Sequence, residues 1–268
     1  TYFVDNAGDQ TIELSGEGTD IVRSKISFTI GDHVENLTLT GGLAIDGTGN
    51  GLANTTNANG GANILDGGPG ADKLNGKGGN DTYVVDNAGD LVSEDSASGG
   101  IDLVQSSVTF TLGTHVDNLT LTGAGAIDGS GNATANTIIG NGAANILAGG
   151  SGNDMLSGGG GGDDLRGGLG NDDLEGGGGA DDFVFDTALG GGNVDEVLDF
   201  VAGADRIALE NSVFAGLPFG ALNPSALRIG AGAADPNHRI VYDPPTANLY
   251  FGSVGTGRAV GARRRLGT

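Results

Sequence analysis

Aspartates recur every nine residues between Gly149 and Val184, where the chain reads GGSGNDMLS, GGGGGDDLR, GGLGNDDLE and GGGGADDFV. Asp154, Asp163, Asp172 and Asp181 hold the sixth place of these four copies, and the eighth place is apolar in each. A shorter block over 67–84, GGPGADKLN and GKGGNDTYV, sets Asp72 and Asp81 in the same place, with Lys77 standing where the second glycine belongs. Weaker copies lead into both blocks and carry Asn54, Asn63, Asn136 and Asn145 at the sixth place. Carboxylates repeated in this way can do acid–base work in pairs, as in glycosidases, or can coordinate a hard cation through oxygen. They keep phase with the glycines and the apolar residues, which acid–base catalysis does not require, so coordination is the better reading.

The spacing prescribes a structure. Each nonapeptide reads as a tight six-residue turn followed by a three-residue strand whose eighth residue points inward. Glycine suits the turn because several of its positions must reach positive φ, where a Cβ clashes. Two units make one coil of about eighteen residues, and every second turn stacks on the same edge at the parallel-strand spacing of about 4.8 Å. An ion between two stacked turns lies within reach of both aspartates and of the turn carbonyls at roughly the 2.3–2.6 Å typical of calcium. Asp154 is therefore expected to pair with Asp172 and Asp163 with Asp181. Asn63 with Asp81, Asn145 with Asp163, Asn54 with Asp72 and Asn136 with Asp154 are expected to form weaker sites, since Asn supplies a neutral oxygen. Stacked carboxylates repel without metal, so ion binding becomes folding free energy.

Composition agrees. The 268 residues include 55 Gly and 34 acidic against 12 basic side chains, a formal net charge of −22, with no Cys. Such a charge opposes compaction unless a cation neutralises it and makes nucleic acid a poor partner. Without thiols the abundant ligands are oxygens, which suit calcium or magnesium rather than zinc or copper. No apolar run approaches the roughly 20 residues of a membrane span. Neither H-E-x-x-H nor G-x-S-x-G occurs, so the commonest hydrolase signatures are absent and no catalytic residue is assigned. His33 and His115 read as turn residues rather than ligands. A disordered glycine-rich linker predicts no phase between glycine, aspartate and apolar positions, and collagen requires a period of three.

A second repeat of about 82 residues frames the first. TYFVDNAGD at Thr1–Asp9 returns as TYVVDNAGD at Thr82–Asp90, and HVENLTLT at His33–Thr40 as HVDNLTLT at His115–Thr122, with one insertion between residues 91 and 99. The chain thus divides into a first long module over 1–81 ending in the 67–84 block, a second over 82–148, a nonapeptide roll over 149–184 and a capping region over 185–268. Because the second TYVVDNAGD directly follows a nonapeptide, residue 1 is expected to lie inside a longer parent chain. Val22, Ser24, Ile26, Phe28 and Ile30 alternate with mostly polar neighbours, as do Val104 to Leu112, which predicts a half-buried strand in each module. The expected architecture is all-β: a parallel β-roll, or β-solenoid, closed by a β-rich C-terminal cap.

Residues 58–84 and 140–184 resemble the repeats-in-toxin (RTX) calcium-binding proteins, whose nonapeptide has this form. From Asp182 to about Tyr250, including Asp199-Phe200, Asp205-Arg206-Ile207-Ala208-Leu209 and Arg239-Ile240-Val241-Tyr242-Asp243, the chain is similar to the C-terminal domain of serralysin-type metalloproteases, though their protease domain has no counterpart here. The resemblance implies several calcium ions, export through type I secretion machinery and folding in the extracellular space. It leaves two functions open: a non-enzymatic calcium-binding module, or the secretion and stabilising part of a larger enzyme such as a metalloprotease, lipase or glycan lyase. The tail Gly257–Thr268 is basic, unlike family tails. No feature names a biological target.

Overall fold

A computed structural model of the chain describes residues 1–95, 99–187, 193–210 and 212–214, together with the backbone of strands at 227–229, 240–243, 248–251 and 260–264. Every helix or strand among them is a β-strand, and no helix there is long and apolar enough to cross a membrane. The chain forms two compact units, Thr1–Asn132 and Ala133–Thr268.

In the first unit the chain winds as a parallel β-roll. One face carries β1 (Tyr2–Val4), β2 (Ile21–Ser24), β4 (Asn36–Leu39), β6 (Thr55–Asn57), β8 (Lys73–Asn75) and β10 (Leu91–Ser93). The opposite face carries β3 (Phe28–Thr29), β5 (Gly47–Thr48), β7 (Ile64–Asp66), β9 (Thr82–Val85), β11 (Leu103–Ser106) and β13 (Asn118–Leu121), while β12 (Phe110–Thr111) pairs with β14 (Gly129–Ser130). Leu65 faces Tyr83, and Thr56, Leu74 and Val92 follow one another, always eighteen residues apart. Outside the nonapeptides the coil length changes: Val22 meets Leu37 and Val104 meets Leu119 after fifteen residues, and Tyr83 meets Val104 after twenty-one. The inward ladder survives these changes because length is absorbed in the turns. Thr56, the polar exception at the eighth place, stays fully buried in line with Leu37 and Leu74.

The alternation in each long module does not form one strand. Ser24 turns the corner: its Oγ donates to the Ile26 carbonyl at 2.6 Å and accepts from the Ile26 amide at 3.2 Å, and β3 then continues on the other face. Ser106 does the same for Val108. A period-two pattern continues across such a corner because both faces share one interior, which is why sequence alone merged the two strands. His33 and His115 sit in turns at φ 69° and 71°.

The second unit repeats the plan. β15 (Thr137–Ile139), β17 (Met155–Ser157), β20 (Asp173–Glu175) and β23 (Glu196–Val197) make one face. β16 (Ile146–Ser151), β19 (Asp164–Leu169), β22 (Asp182–Phe185) and β24 (Arg206–Leu209) make the other. Between them Ile138, Leu156 and Leu174 oppose Leu147, Leu165 and Phe183, all fully buried; each such side chain contributes about 1.5–3 kcal/mol on leaving water. The glycine turns also pair along the stack, Gly150 with Gly168 and, through β18 (Gly160–Gly161) and β21 (Gly178–Gly179), Gly160 with Gly178. Past the last nonapeptide, Phe200 packs on Phe183 with ring centroids 6.2 Å apart, and Phe214 is buried. The pattern then changes: β26 (Ile240–Asp243), β27 (Asn248–Phe251) and β28 (Val260–Arg264) run antiparallel, with β25 (Leu227–Ile229) beside β26. The other parts of the serralysin-like stretch after Phe214, including Arg239, and of the basic tail lie outside the described residues.

Candidate metal centre

The sixth-place residues form ladders along the edges of each roll. In the second unit the amide of Asn136 donates to Oδ1 of Asp154 at 2.8 Å, and that of Asp154 to Oδ1 of Asp172 at 2.9 Å. On the other edge the Asn145 amide donates to Asp163 at 2.8 Å and the Asp163 amide to Asp181 at 2.9 Å. In the first unit Asn54 donates to Asp72 at 2.7 Å and Asn63 to Asp81 at 2.8 Å. All these side chains are buried. The register brings together the pairs expected from stacking every second turn.

What separates the rungs is the second oxygen. In Asp72, Asp81, Asp102, Asp154, Asp163 and Asp172, Oδ2 is buried with no hydrogen-bond donor. Asp90 and Asp205 differ: their Oδ2 atoms accept amides of their own turns, from Asp86 and Asn87 at 3.2 and 3.1 Å and from Val201 at 2.6 Å. A buried carboxylate oxygen without a donor carries the full cost of desolvation. The deprived rungs are those at which a cation has something to supply.

The first glycine of each nonapeptide makes room for this oxygen. A Cβ on Gly149, Gly158, Gly167 or Gly176 would collide with Oδ2 of Asp154, Asp163, Asp172 or Asp181 respectively, and one on Gly158 would also stand 2.6 Å from the Gly176 carbonyl oxygen. Main-chain carbonyls and carboxylate oxygen thus share one small cradle, a donor set of the hard-oxygen kind calcium takes. Burial raises the carboxyl pKa values, to about 7 for Asp154 and about 6 for Asp72, Asp81 and Asp163; the amide bond to each opposes the rise and neighbouring aspartates add to it. Asp172 and Asp181 are raised for the same first reason, burial.

Asn63 and Asn145 serve differently from aspartate. Oδ1 of Asn63 accepts the Asn59 amide at 3.3 Å, and its Nδ2 donates to the Ile45 carbonyl at 2.5 Å. Oδ1 of Asn145 accepts the Asn141 amide at 2.9 Å. The amide side chain brings its own donor, which Asn63 directs to a carbonyl eighteen residues back and Asn145 to Oδ1 of Asn141 at 3.2 Å. Lys77 keeps the glycine-like conformation with φ 67°, and its Nζ donates to the Ala58 carbonyl at 2.6 Å, a tethered cation on the turn stack.

Four rungs escaped the nonapeptide pattern. The Asp72 amide donates to Asp90 and the Asp81 amide to Asp102, at 2.9 and 2.8 Å. Asp172 likewise donates to Asp195 at 3.3 Å and Asp181 to Asp205 at 3.1 Å. Asp72 and Asp81 therefore have acidic partners ahead of them as well as the asparagines behind. The signal was present as Asp-x-apolar: Asp90-Leu91-Val92, Asp102-Leu103-Val104, Asp195-Glu196-Val197 and Asp205-Arg206-Ile207. It is the sixth-to-eighth segment of the nonapeptide with its glycines removed.

The model of the RTX calcium-binding nonapeptide repeat (4 copies) matches residues 48–83, 130–165 and 157–187. No curated protein matches the chain. The matched stretches carry the glycine cradles and most of the aspartate ladders, so the chain contains RTX calcium-binding repeats, which indicate calcium binding at several sites of a parallel β-roll.

Proposed function

We propose that the ions lie at the stacked turns, with Asp154 and Asp172 on one edge and Asp163 and Asp181 on the other forming the strongest sites. Asp72 and Asp81, with Asn63 and Asn145 behind Asp81 and Asp163, form weaker ones. The observation that carries the assignment is the buried Oδ2 without a donor in Asp72, Asp81, Asp154, Asp163 and Asp172. Calcium supplies positive charge at these buried oxygens, and it ties one turn to the next.

Its function on this reading is non-catalytic: a module that stays unfolded at the low free calcium of the cell interior and folds outside, where affinity in roughly the 10⁻⁴–10⁻³ M range of extracellular modules suffices. The formal charge of −22 supports it, since self-repulsion holds the metal-free chain open. Export by type I machinery fits that order of events, because a chain that folds only on arrival passes a channel unfolded. Circular dichroism in calcium and in excess chelator tests the proposal: β-structure is expected to appear only with calcium, and superimposable spectra would overturn it.

A further inference from the structure

We propose that Asp81, Glu94 and Asp102 hold a calcium ion where the 67–84 nonapeptides give way to the second long repeat, at a site two of whose three carboxylates come from outside any nonapeptide. One ligand oxygen from each lies within 4.8 Å of those of the other two. Two calcium–oxygen bonds span up to about 5 Å, so three oxygens this close together can share one calcium ion.

The three residues are more than an acidic cluster. Asp81 and Asp102 are each only 1% exposed. One oxygen of each side chain is already held: Asp81 Oδ1 by the Asn63 amide and Asp102 Oδ1 by the Asp81 amide, both at 2.8 Å, and Glu94 Oε1 by the Tyr83 hydroxyl. The remaining oxygens, Asp81 Oδ2, Glu94 Oε2 and Asp102 Oδ2, are buried and have no hydrogen-bond partner. Among the described residues none of the three forms an ion pair. Buried carboxylates so close together require a cation or protons, and a site of oxygens alone suits a hard cation.

Geometry explains why a glutamate is needed here. In the roll of the second unit, a Cβ on Gly149 would meet both Asp154 Oδ2 and the carbonyl oxygen of Gly167, the first glycine of the next turn on that edge, at 2.4 and 2.5 Å. Five residues before Asp102 the sequence has Ala97 in place of that glycine. Glu94 reaches into the cradle instead: a Cβ on Gly76 would collide with Asp81 Oδ2, Glu94 Oε1 and the Tyr83 hydroxyl. The first long repeat places Tyr2, Glu13 and Asp20 at matching positions, but there the Tyr2 hydroxyl donates to the Ile12 carbonyl at 3.1 Å instead of to the glutamate.

The inference rests on the calcium reading above in one respect, that Asp81 belongs to both. Terbium titration of the full chain separates them. The chain has no Trp and 4 Tyr, so tyrosine-sensitised terbium emission reports ions close to a tyrosine. Wild type is expected to show this emission. Tyr83→Phe, which keeps all three carboxylates, is expected to lose most of it at unchanged ion stoichiometry. Glu94→Gln is expected to lose it and to bind one ion fewer per chain; unchanged emission and stoichiometry in that variant would overturn the site. If Glu94→Gln does not fold, Tyr83→Phe decides, and undiminished emission there would overturn it. Asp163→Ala is expected to impair calcium-driven folding while the Tyr83 signal persists; an intact response in Asp163→Ala beside a lost signal in Glu94→Gln would count against the stacked-turn pairs alone.

Discussion

The amide of Asp154 donates to Oδ1 of Asp172 at 2.9 Å, eighteen residues further along, while Oδ2 of both carboxylates is buried without a donor. One oxygen of each of these two carboxylates therefore holds the stack together and the other is left without a donor. This division of labour makes substitutions at the rungs depend on calcium in sign as well as size.

Asp163→Asn illustrates it. Asparagine keeps an acceptor for the Asn145 amide and brings the Nδ2 donor that Asn63 and Asn145 already use, while removing a buried charge. In excess chelator the variant is expected to be more structured than wild type, and in saturating calcium less stable, with a higher calcium midpoint. Chemical denaturation under both conditions measures this; the same sign in both would contradict the divided role.

Position along the ladder ranks the aspartates. Asp163 stands between two glycine turns, 140–145 and 176–181, whereas Asp72 is followed by Asp90, whose second oxygen is already satisfied within its own turn. Asp163→Ala is expected to raise the calcium needed for folding several-fold more than Asp72→Ala. Calcium titrations followed by circular dichroism give the ranking.

Glycine at the first place is demanded by the neighbouring carboxylate rather than by φ. Gly158→Ala puts a methyl group into Asp163 Oδ2 and 2.6 Å from the Gly176 carbonyl, and is expected to abolish calcium-induced folding of the roll. Gly178→Ala meets nothing within 4 Å and has no positive φ, so it is expected to change stability by less than about 0.5 kcal/mol.

Acidity should substitute in part for calcium. Asp154, with a folded-state pKa of about 7 against an ordinary 3.8, binds more protons folded than unfolded between those values, and Asp72, Asp81 and Asp163 do so up to about 6. Metal-free stability from these groups is therefore fully present below about pH 4 and falls as pH rises toward 7. In chelator the β-signal is expected to be larger at pH 5 than at pH 8. With calcium the order reverses, because protons compete for the same oxygens and the calcium midpoint rises on acidification.

Core packing sets the remaining stability. Leu165, fully buried and stacked between Leu147 and Phe183, is expected to cost about 2–5 kcal/mol in the calcium-bound form as Leu165→Ala. Equilibrium unfolding in calcium measures it.

The β-roll, its eighteen-residue coil and the stacking of Asp154 on Asp172 were all legible in the sequence, because a nine-residue period fixes strand, turn and facing direction together. Lys77 shows the strength of that pattern: it lacks the glycine yet keeps the glycine's φ. The long modules were only half legible. Val22 to Ile30 kept its alternation across the corner at Ser24, so periodicity could not show that one apparent strand was two. Asp102, Asp195 and Asp205 were hidden for a different reason: steps of twenty-one to twenty-four residues bring them into register, so no fixed spacing marks them, while Asp90 keeps the eighteen-residue step but lacks the glycines of the turn. Which carboxylate oxygen lacks a donor, and that Glu94 reaches Asp81 and Asp102, depends on turns stacked across the fold. The sequence by itself therefore determined the ion and the repeat that binds it, since both are properties of local spacing. Only the tertiary structure decided which carboxylate oxygens are buried without a donor, since hydrogen-bond satisfaction is set by neighbours one coil away.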